Sequence, residues 1–312
     1  MRVLITGGAG FIGSHLADRL LERGDSVTVI DNYATGRRDN LRPRPSLQVV
    51  EGSIADPAAL AEAFRLAAPE YVVHAAASYK DPHNWEEDAK TNAEGTAAVV
   101  KASESAGVKR LIYFQTALCY GLQPVEQPIT LAHPLHPEGS SYAISKTAGE
   151  YYIGLSGLNF ISFRLANAYG PRNLSGPLPT FFHRLTAGKA CFVMDTRRDF
   201  IFVDDLIDVV VRALDGAGHR GYYHVSSGSD HAIKELYDET VNALGMTGLG
   251  PVEVRPRNPD DVFSILLDPS KTNQDFSWRT STPLAEGVRQ AIDYYRQYGI
   301  QETYTHLKAL NE

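Results

Sequence analysis

The sequence predicts a doubly wound α/β fold, in which helices cover both faces of a parallel β-sheet. Two observations support this prediction. Strand-like and helical segments alternate through the first half of the chain, with strands near 2–6, 26–31, 47–51, 71–75, 110–115 and 160–165. In addition, a glycine-rich segment joins the first strand to the first helix, which is typical of the phosphate-binding turn in these folds.

The glycine-rich segment carries Gly7, Gly10 and Gly13. Their spacing differs from the commoner G-x-G-x-x-G register, but an apolar strand precedes them and an amphipathic segment follows. Backbone N–H groups of such a strand–turn–helix bind the pyrophosphate of a dinucleotide. The candidate cofactor-binding residues here are therefore Gly7, Gly10, Phe11, Ile12 and Gly13. The alternative is a plain turn that binds no ligand.

Asp31 ends the second predicted strand, 18 residues after Gly13. A carboxylate at this place accepts hydrogen bonds from the hydroxyls of an adenosine ribose and repels a 2′-phosphate. The sequence therefore favours NAD over NADP as the cofactor. Arg37 and Arg38 follow closely, and they leave NADP as an alternative.

Tyr142 and Lys146 are four residues apart, so on a helix they share one face. A cation near the phenol favours the phenolate and lowers the pKa of the tyrosine, which makes it a usable base. Because Tyr-x-x-x-Lys also occurs by chance on solvated helices, the pair gains weight from Thr116, which follows another predicted strand. These three residues are the predicted catalytic site, and together with a dinucleotide site they indicate hydride chemistry.

Composition and charge exclude several classes of protein. The chain has 312 residues, 43% of them hydrophobic, and a net charge of −7, so it carries no basic footprint for nucleic acid. No apolar run reaches the roughly 18 residues of a membrane span, and strand signals begin at Val3, which leaves no room for a secretory leader. We therefore expect a cytoplasmic protein that binds neither nucleic acid nor membrane. Cys119 and Cys191 are expected to be free thiols.

No metal site is predicted. His74 ends a predicted strand without a second ligand at suitable spacing, so we expect a hydrogen-bonded structural histidine.

The second half of the chain differs from the first in composition and in the length of its predicted strands. Proline and glycine cluster at 170–180 and 248–259, and the predicted strands become short. We expect an NAD-binding domain over 1–170 and a smaller, interleaved substrate lobe. The segment 196–228 is expected to return to the first domain, with strands near 200–204 and 222–226 joining the main sheet. The lobe then consists of 171–195 and 229–312.

The ordered motifs resemble those of the extended short-chain dehydrogenases/reductases, in particular the nucleotide-sugar epimerase and dehydratase group, whose cofactor domain is of the Rossmann type. The resemblance covers essentially the whole chain. It rests on these segments: Thr6–Gly13, Asp31–Asn32, His74–Ala77, Asn92 with Gly95–Thr96, Thr116–Gly121, Tyr142–Lys146, Arg164–Arg172, Arg198–Phe200 and Asp268–Lys271. The segment Phe114–Gly121 is most similar to epimerases of bacterial lipopolysaccharide O-antigen clusters.

This resemblance implies NAD-dependent epimerisation of a nucleotide-diphospho-sugar, a UDP-sugar at C4, through a 4-keto intermediate. It implies that Tyr142 accepts the hydroxyl proton, Thr116 hydrogen-bonds the same oxygen and Lys146 holds the nicotinamide ribose. It also implies a homodimer, formed through the helix that carries Tyr142 and the helix near 86–106. It implies a mainly structural role for the segment from Asp199 to Leu206, which includes Asp204 and Asp205. The further cofactor-binding residues that it implies are Asn32, Ser53, Ile54, Ala75, Ala76, Ala77 and Asn92.

On the substrate side, the resemblance implies that Arg198 binds the diphosphate. The alternative for Arg198 is an ion pair with Asp199. Family members usually have a second arginine where this chain has Asn258, and Arg257 is expected to replace it. The complete set of expected substrate-binding residues is Lys80, Thr116, Asn167, Arg198, Arg257 and Asp261.

Two other functions stay open at the level of sequence. Dehydratases of the group carry an Asp-Glu pair directly after the catalytic threonine, whereas this chain has Ala117 and Leu118, which carry no proton. The difference favours an epimerase, but Cys119 or Glu138 is an alternative source of the missing acid. A more remote alternative is an NAD-binding sensor without catalytic activity.

Overall fold

The computed structural model describes residues 1–257, 261–300 and 302–304. Its strands, in chain order, are β1 (Arg2–Thr6), β2 (Ser26–Asp31), β3 (Leu47–Glu51), β4 (Tyr71–His74), β5 (Arg110–Thr116), β6 (Phe160–Leu165), β7 (Asn167–Tyr169), β8 (Phe192–Met194), β9 (Arg197–Phe202), β10 (Gly221–Val225), β11 (Asp230–Ala232), β12 (Glu253–Arg255) and β13 (Ser264–Ile265).

The helices, in chain order, are α1 (Phe11–Glu22), α2 (Pro57–Ala67), α3 (Trp85–Asp88), α4 (Thr96–Ala106), α5 (Ser141–Leu155), α6 (Pro177–Thr186), α7 (Val203–Leu214), α8 (Ile233–Leu244), α9 (Ser270–Asp275) and α10 (Leu284–Tyr298). A π-helical segment, Ala89–Gly95, joins α3 to α4. Short 3₁₀ turns lie at Arg38–Asn40, Ala117–Tyr120 and Pro137–Gly139.

The main sheet has seven parallel strands in the order β10-β6-β5-β4-β1-β2-β3. It contains all six strands predicted in the first half of the chain and the predicted strand near 222–226, so the doubly wound α/β fold is confirmed. All seven strands run in the same direction, but the order in which the chain adds them reverses between β1 and β4: β2 and β3 lie on one side of β1, and β4, β5, β6 and β10 lie on the other. The loops that follow these two strands therefore diverge and open a crevice at the carboxyl edge, where ligands of such folds bind.

The strands of this sheet are apolar on both faces because helices cover both. Val3 and Ile5 of β1 belong to an apolar cluster that includes side chains of α1 and α7. Leu4, which points to the opposite face of the sheet, belongs to a second cluster with side chains of α2, α4 and α5. Burial on both sides explains the near-continuous apolar runs of these strands.

The prediction that a strand near 200–204 joins the main sheet is wrong. β9 instead lies in a separate sheet, between β11 and β13 and paired with β7, and α7 begins directly after it at Val203. The reason is an aromatic cluster: the ring of Tyr169 in β7 lies 5.9 Å from that of Phe200 and 5.5 Å from that of Phe202. These contacts hold β9 beside β7, away from the main sheet.

Several smaller predictions can be compared with the structure. Asp205, in the first turn of α7, accepts hydrogen bonds from Ser281 and from the backbone of Thr282, so its expected structural role is confirmed. Cys119 and Cys191 are free thiols, as predicted. Within the described residues, no helix is long and apolar enough to cross a membrane.

Candidate active site

The glycine turn between β1 and α1 fits closely against the backbone that follows β4. Gly7 has φ +68°, and a Cβ atom there would lie 2.7 Å from the backbone N and Cα of Ala76. Only glycine avoids both the strained φ and this overlap. Gly10 is the N-cap of α1, and among the described side chains none caps this helix end. The first N–H groups of α1, at Phe11 to Gly13, are therefore suited to a phosphate.

Asp31 is held at the end of β2 by main-chain donors. Its two carboxylate oxygens accept hydrogen bonds from the N–H groups of Ala9 and Tyr33, both at 2.8 Å. Burial raises the pKa of the Asp31 carboxyl, and these hydrogen bonds oppose that rise. A carboxylate has about four acceptor positions, which suits Asp31 to accept from a ribose hydroxyl as well. Asn32, the next residue, is exposed.

Arg37 and Arg38, which left NADP as an alternative, are both occupied by acidic partners. The Arg37 guanidinium donates to Asp39 at 2.9 Å. Arg38 donates to Glu51 at 2.6 Å and stacks 4.0 Å from the centre of the Tyr33 ring. Their positive charges are thus already balanced, which weakens the case for a 2′-phosphate.

The chain after β4 is fixed to β1 by Thr6. Thr6 accepts hydrogen bonds from the N–H groups of Ala75 and Ala76, each at 3.1 Å. His74, which is fully buried, has its two ring nitrogens 2.7 Å from the hydroxyl of Thr6 and 2.9 Å from that of Thr96. Burial lowers the pKa of His74 well below its ordinary value. The prediction of a hydrogen-bonded structural histidine is confirmed.

Asn92 lies in the π-helical segment, a conformation that often occurs at functional sites. Its side-chain amide donates to the carbonyl of Ser78 at 2.9 Å and to the hydroxyl of Ser145 at 3.0 Å. Its side-chain oxygen accepts from the N–H of Ser78 at 2.8 Å. Asn92 therefore joins the loop after β4, which includes Ala77, to helix α5.

Ser53 and Ile54 lie in the loop after β3. The Ser53 hydroxyl accepts a hydrogen bond from the N–H of Ala55 at 3.2 Å. Ile54 is buried and packs against Gly95, where a Cβ atom would lie 2.8 Å from its side chain. Both residues flank the same crevice edge as Asp31, because β3 pairs in parallel with β2 and their last residues, Asp31 and Glu51, are register partners.

The structure brings the predicted catalytic residues to the carboxyl edge of the sheet. Thr116 is the last residue of β5, and its hydroxyl accepts from the N–H of Leu118 at 3.2 Å, which shapes the following 3₁₀ turn. Helix α5 begins after Ser140, whose hydroxyl caps it through the N–H of Ala143 at 3.1 Å. The helix packs against both β5 and the 3₁₀ turn. Tyr142, in its first turn, thereby lies on the same side of the sheet edge as Thr116.

Close packing of α5 on the π-helical segment depends on Gly149. A Cβ atom at Gly149 would lie 2.6 Å from the carbonyl oxygen of Asn92 and 3.0 Å from the Tyr113 hydroxyl. A side chain there would push the helix outward. Since this helix carries Tyr142 and Lys146, the missing Cβ helps to place the predicted catalytic pair.

Lys146 is buried, with 2% relative exposure. Its ammonium lies 4.0 Å from the centre of the Tyr113 ring, and its own carbonyl accepts from the Tyr113 hydroxyl at 2.9 Å. Burial lowers the pKa of Lys146 to about 7, and the carboxylate of Glu150 opposes this change. The charge of Lys146 is therefore sensitive to the groups around it near neutral pH.

The expectation that Lys146 lowers the pKa of Tyr142 is wrong for the protein alone. Burial raises the pKa of the Tyr142 phenol, and the negative charge of Asp88 adds to the rise. The physical reason is that both members of the pair lie in a low-dielectric environment, which disfavours the charged form of each.

On the substrate side, Arg198 forms an ion pair with a residue other than the one considered from sequence. Its guanidinium donates to the Asp261 carboxylate at 2.7 Å and to the carbonyl of Val262 at 2.9 Å. Asp199 instead accepts from the hydroxyl of Ser227 at 2.7 Å. The alternative of an Arg198–Asp199 ion pair is therefore wrong, and two of the expected substrate-binding residues contact each other.

The other expected substrate-binding residues divide into two groups. Arg257 donates to the carbonyl of Asp261 at 2.8 Å, and Asn167 donates to the carbonyl of Asp199 at 3.3 Å, so both lie near Arg198. Asn258, at the position of the expected second arginine, lies outside the described residues.

Lys80 belongs to a different part of the molecule. It lines a cavity of about 400 Å³ together with residues 33–39 and Tyr304, and its ammonium lies 4.0 Å from Glu302. Since residues 33–39 closely follow Asp31, Lys80 lies beside the proposed cofactor site.

Sequence reasoning missed two features of this site. Tyr304 lies over the crevice: its hydroxyl is 3.2 Å from that of Tyr79, whose ring lies 6.2 Å from that of Tyr142. No motif marks Tyr304. Glu150, which influences Lys146, could have been found, because the four-residue spacing that relates Tyr142 to Lys146 also relates Lys146 to Glu150.

The chain is similar to several known proteins. The model of the NAD dependent epimerase/dehydratase family matches residues 3–225. Among solved structures, the chain is similar to the Bordetella bronchiseptica enzyme WbmH in complex with NAD+, with 56% identity, coverage of 96% of this chain and 99% of that one, and a TM-score of 0.93.

Two further similarities extend this finding. The Bordetella bronchiseptica enzyme WbmG in complex with NAD and UDP has 45% identity, covers 99% of each chain and gives a TM-score of 0.91. The UDP-glucose 4-epimerase of Mycolicibacterium smegmatis is 32% identical over 95% of this chain and 99% of its own length.

Proposed function

The chain belongs to the NAD-dependent epimerase/dehydratase family, and we propose that it inverts C4 of a UDP-sugar through a transient 4-keto sugar, with NAD as its cofactor. One observation carries this proposal: the structure gathers Thr116 and the Tyr142–Lys146 helix at the sheet edge that also holds the glycine turn and Asp31. The complex of the related WbmG with NAD and UDP supports the choice of cofactor and nucleotide.

The residues of the site have distinct tasks in this reaction. NAD, when bound, takes up and returns a hydride and supplies a positive charge near the phenol. Tyr142 removes the proton of the C4 hydroxyl while C4 loses its hydride, and the Thr116 hydroxyl hydrogen-bonds the same oxygen. Lys146 holds the nicotinamide ribose, and its charge together with that of bound NAD would favour the phenolate against the effect of burial. The keto sugar then rotates within the site, so that its opposite face is presented. Hydride is added to that face and Tyr142 returns the proton, so no net oxidation occurs.

Elimination, the dehydratase reaction, is the second candidate and is less well supported. It needs an acid and a base beyond the catalytic tyrosine. Ala117 and Leu118, directly after Thr116, have none to offer. Cys119 is fully buried, and burial raises the pKa of its thiol. Glu138 is exposed and lies 3.3 Å from His136. These observations favour epimerisation.

Recognition of the substrate is assigned to the smaller lobe, residues 171–195 and 229–312, together with β9, which carries Arg198. The Arg198 guanidinium can donate two parallel hydrogen bonds to a diphosphate. Arg257 and Asn167 lie close enough to assist it. Residues 1–170, with α7 and β10, form the cofactor domain.

We also propose a homodimer that forms through α5. This helix exposes apolar side chains on the face opposite the catalytic residues, namely Ile144, Tyr151, Tyr152 and Leu155, of which Leu155 is 83% exposed. Contiguous exposed apolar surface is typical of a protein interface. Light scattering should give the mass of a dimer, and Leu155→Lys should shift it towards a monomer. A monomer at all concentrations of the unaltered protein would contradict this assignment.

The proposal further places the protein in the cytoplasm, in the synthesis of a surface polysaccharide. Two free thiols agree with a reducing compartment. O-antigen gene clusters, to whose epimerases the segment Phe114–Gly121 is similar, serve such synthesis.

Proton NMR with a panel of UDP-sugars in D₂O tests the function directly. A C4 epimer without deuterium at C4 is the expected product, because the hydride that leaves C4 returns to it. A keto sugar with deuterium at C5 or C6 would instead show elimination and overturn the proposal. Tyr142→Phe is the control for background conversion.

A further inference from the structure

A buried polar network behind the catalytic helix plays no part in the mechanism described above. At its centre, the carboxylate of Glu150 is 1% exposed and receives two hydrogen bonds from the Arg164 guanidinium, at 2.8 and 3.2 Å. The Ser162 hydroxyl donates a third at 2.6 Å. Glu150 lies on α5 and Arg164 on β6, so the ion pair joins the catalytic helix to the sheet.

The network continues to the turn that follows Thr116. Arg164 donates to the Tyr120 hydroxyl at 2.8 Å, and this hydroxyl lies 2.6 Å from Nε2 of His224 on β10. Tyr120 is the last residue of the 3₁₀ turn that begins directly after Thr116. A single guanidinium therefore connects helix α5 with the turn that presents the Thr116 hydroxyl.

Glu150 also acts on Lys146, which lies one helical turn before it on the same face of α5. The titratable groups around Lys146 are Tyr142 and Glu150 of its own helix, Tyr113 of β5 and His74 of β4. Burial keeps Tyr113 and His74 neutral. Among these groups, Glu150 is the carboxylate, and it is the one paired with a cation, Arg164.

Stability alone does not account for a charged pair at this position. Burial of two charges is costly, and well-packed apolar residues often replace such a pair without loss of stability. The pair lies between a lysine that must stay charged and a turn that must be held in place. Its location therefore indicates that the Glu150–Arg164 pair serves the reaction as well as the fold.

We propose that Glu150 is a positioning residue for the reaction: its carboxylate keeps the Lys146 ammonium charged and, through Arg164 and Tyr120, fixes the turn that carries Thr116. This inference rests on the proposed function, because it assigns Lys146 and Thr116 to that site. The two effects can be separated by experiment.

The effect on charge is tested with Glu150→Gln. Activity requires the ammonium form of Lys146, so it falls as the pH rises through the pKa of that group. Removal of a neighbouring negative charge lowers this pKa, and the alkaline limb of the kcat profile should move down by about one pH unit. Ser162→Ala is the matched control: it removes one hydrogen bond to Glu150, keeps both charges, and should leave the profile unchanged.

Glu150→Gln alone leaves Arg164 buried without its partner, which could unfold the protein or shift the profile indirectly. A double variant tests both explanations. Glu150→Gln combined with Arg164→Met removes both buried charges and is expected to fold. The same shift of the alkaline limb should appear in it, since Glu150 acts directly on Lys146. A profile equal to that of the unaltered protein, or an equal shift in Ser162→Ala, would overturn the proposal.

The effect on the turn is tested with Tyr120→Phe, which removes the hydroxyl between Arg164 and His224 but keeps the ring. We expect kcat to fall about tenfold, with KM and the alkaline limb unchanged, because only the placement of Thr116 is altered. An unchanged kcat would overturn this half of the proposal.

Binding of NADH separates this inference from the proposed function. Lys146 is expected to contact the nicotinamide ribose, so the affinity for NADH, followed by its fluorescence, should weaken as Lys146 loses its charge. The pH of that change should be lower in Glu150→Gln. If no UDP-sugar is converted, the proposed function fails, whereas an identical pH dependence of NADH affinity in both proteins would overturn the role of Glu150.

Discussion

The proposed cofactor region and the proposed substrate region of this molecule are built in different ways. Around the glycine turn, the main chain makes the decisive contacts: Gly7 fits against the backbone of Ala76, and Asp31 is held by two backbone N–H groups. Around Arg198, charged side chains contact each other, with Asp261 as the partner of Arg198. A site formed by main chain is rigid before the ligand arrives. A site of paired charges must exchange partners on binding.

This difference matches the two demands of an epimerase. The cofactor is restored in every turnover and stays bound, whereas the sugar nucleotide must enter and leave. Substitutions that alter the backbone of the cofactor region should therefore affect cofactor binding strongly. Substitutions of side chains in the substrate region should affect KM and leave the cofactor in place.

The largest effect is expected at the junction of the two regions, in Tyr142→Phe. Loss of the base should lower kcat about a thousandfold while NAD stays bound, because the glycine turn and Asp31 are untouched. Turnover of UDP-sugar and the NAD content of the purified protein are the measurements. Tyr151→Phe, on the exposed face of the same helix, should retain full activity. A Tyr142→Phe variant as active as this control would refute the catalytic assignment.

The next largest effect is expected in Gly7→Ala. The unfavourable φ and the overlap with Ala76 together should weaken NAD binding about a hundredfold, measured by calorimetry. Gly24→Ala is the matched control, since Gly24 has φ +91° but open space around its Cβ position. If the two variants lose equal affinity for NAD, the close approach of Gly7 to Ala76 does not contribute to NAD binding. The claim that main-chain contacts dominate the cofactor region would then be wrong.

A moderate effect is expected in Arg198→Lys. The lysine keeps the charge but loses the planar fork, so KM for the sugar nucleotide should rise about tenfold, with NAD affinity unchanged. Arg197→Lys, at a neighbouring arginine paired with Asp230, should leave KM unchanged. A loss of NAD affinity in Arg198→Lys would show that the two regions are not independent.

The smallest effect is expected in Ser53→Ala. Its hydroxyl is the expected contact to the adenine, and loss of one hydrogen bond should weaken NAD binding about threefold. A small effect is expected because main-chain contacts, and not this side chain, contribute most to NAD binding in the cofactor region. A loss as large as that in Gly7→Ala would mean that side chains dominate there as well.

Much of the proposed cofactor region and the candidate catalytic pair could be located from sequence because each feature is a local pattern. A glycine turn follows from the conformational freedom of its residues, Asp31 from its place at a strand end, and the Tyr142–Lys146 pair from the period of a helix. The alternation of strands and helices predicted the parallel sheet.

Contacts between distant parts of the chain could not be predicted in this way. Arg198 and Asp261 are 63 residues apart, and Tyr79 and Tyr304 are 225 apart. Whether β9 pairs with β7 or joins the main sheet depends on how Tyr169, Phe200 and Phe202 pack. No short-range spacing encodes these choices.

The sequence by itself determined the fold class and pointed to the glycine turn and the candidate catalytic residues. Only the tertiary structure decided which charges pair and what their surroundings do to them. Burial raises the pKa of Tyr142, against the expectation from its spacing to Lys146, and lowers the pKa of Lys146 to about 7. The physical reason is that local geometry fixes which side chains are neighbours, whereas the whole packed structure sets the dielectric environment in which they carry charge.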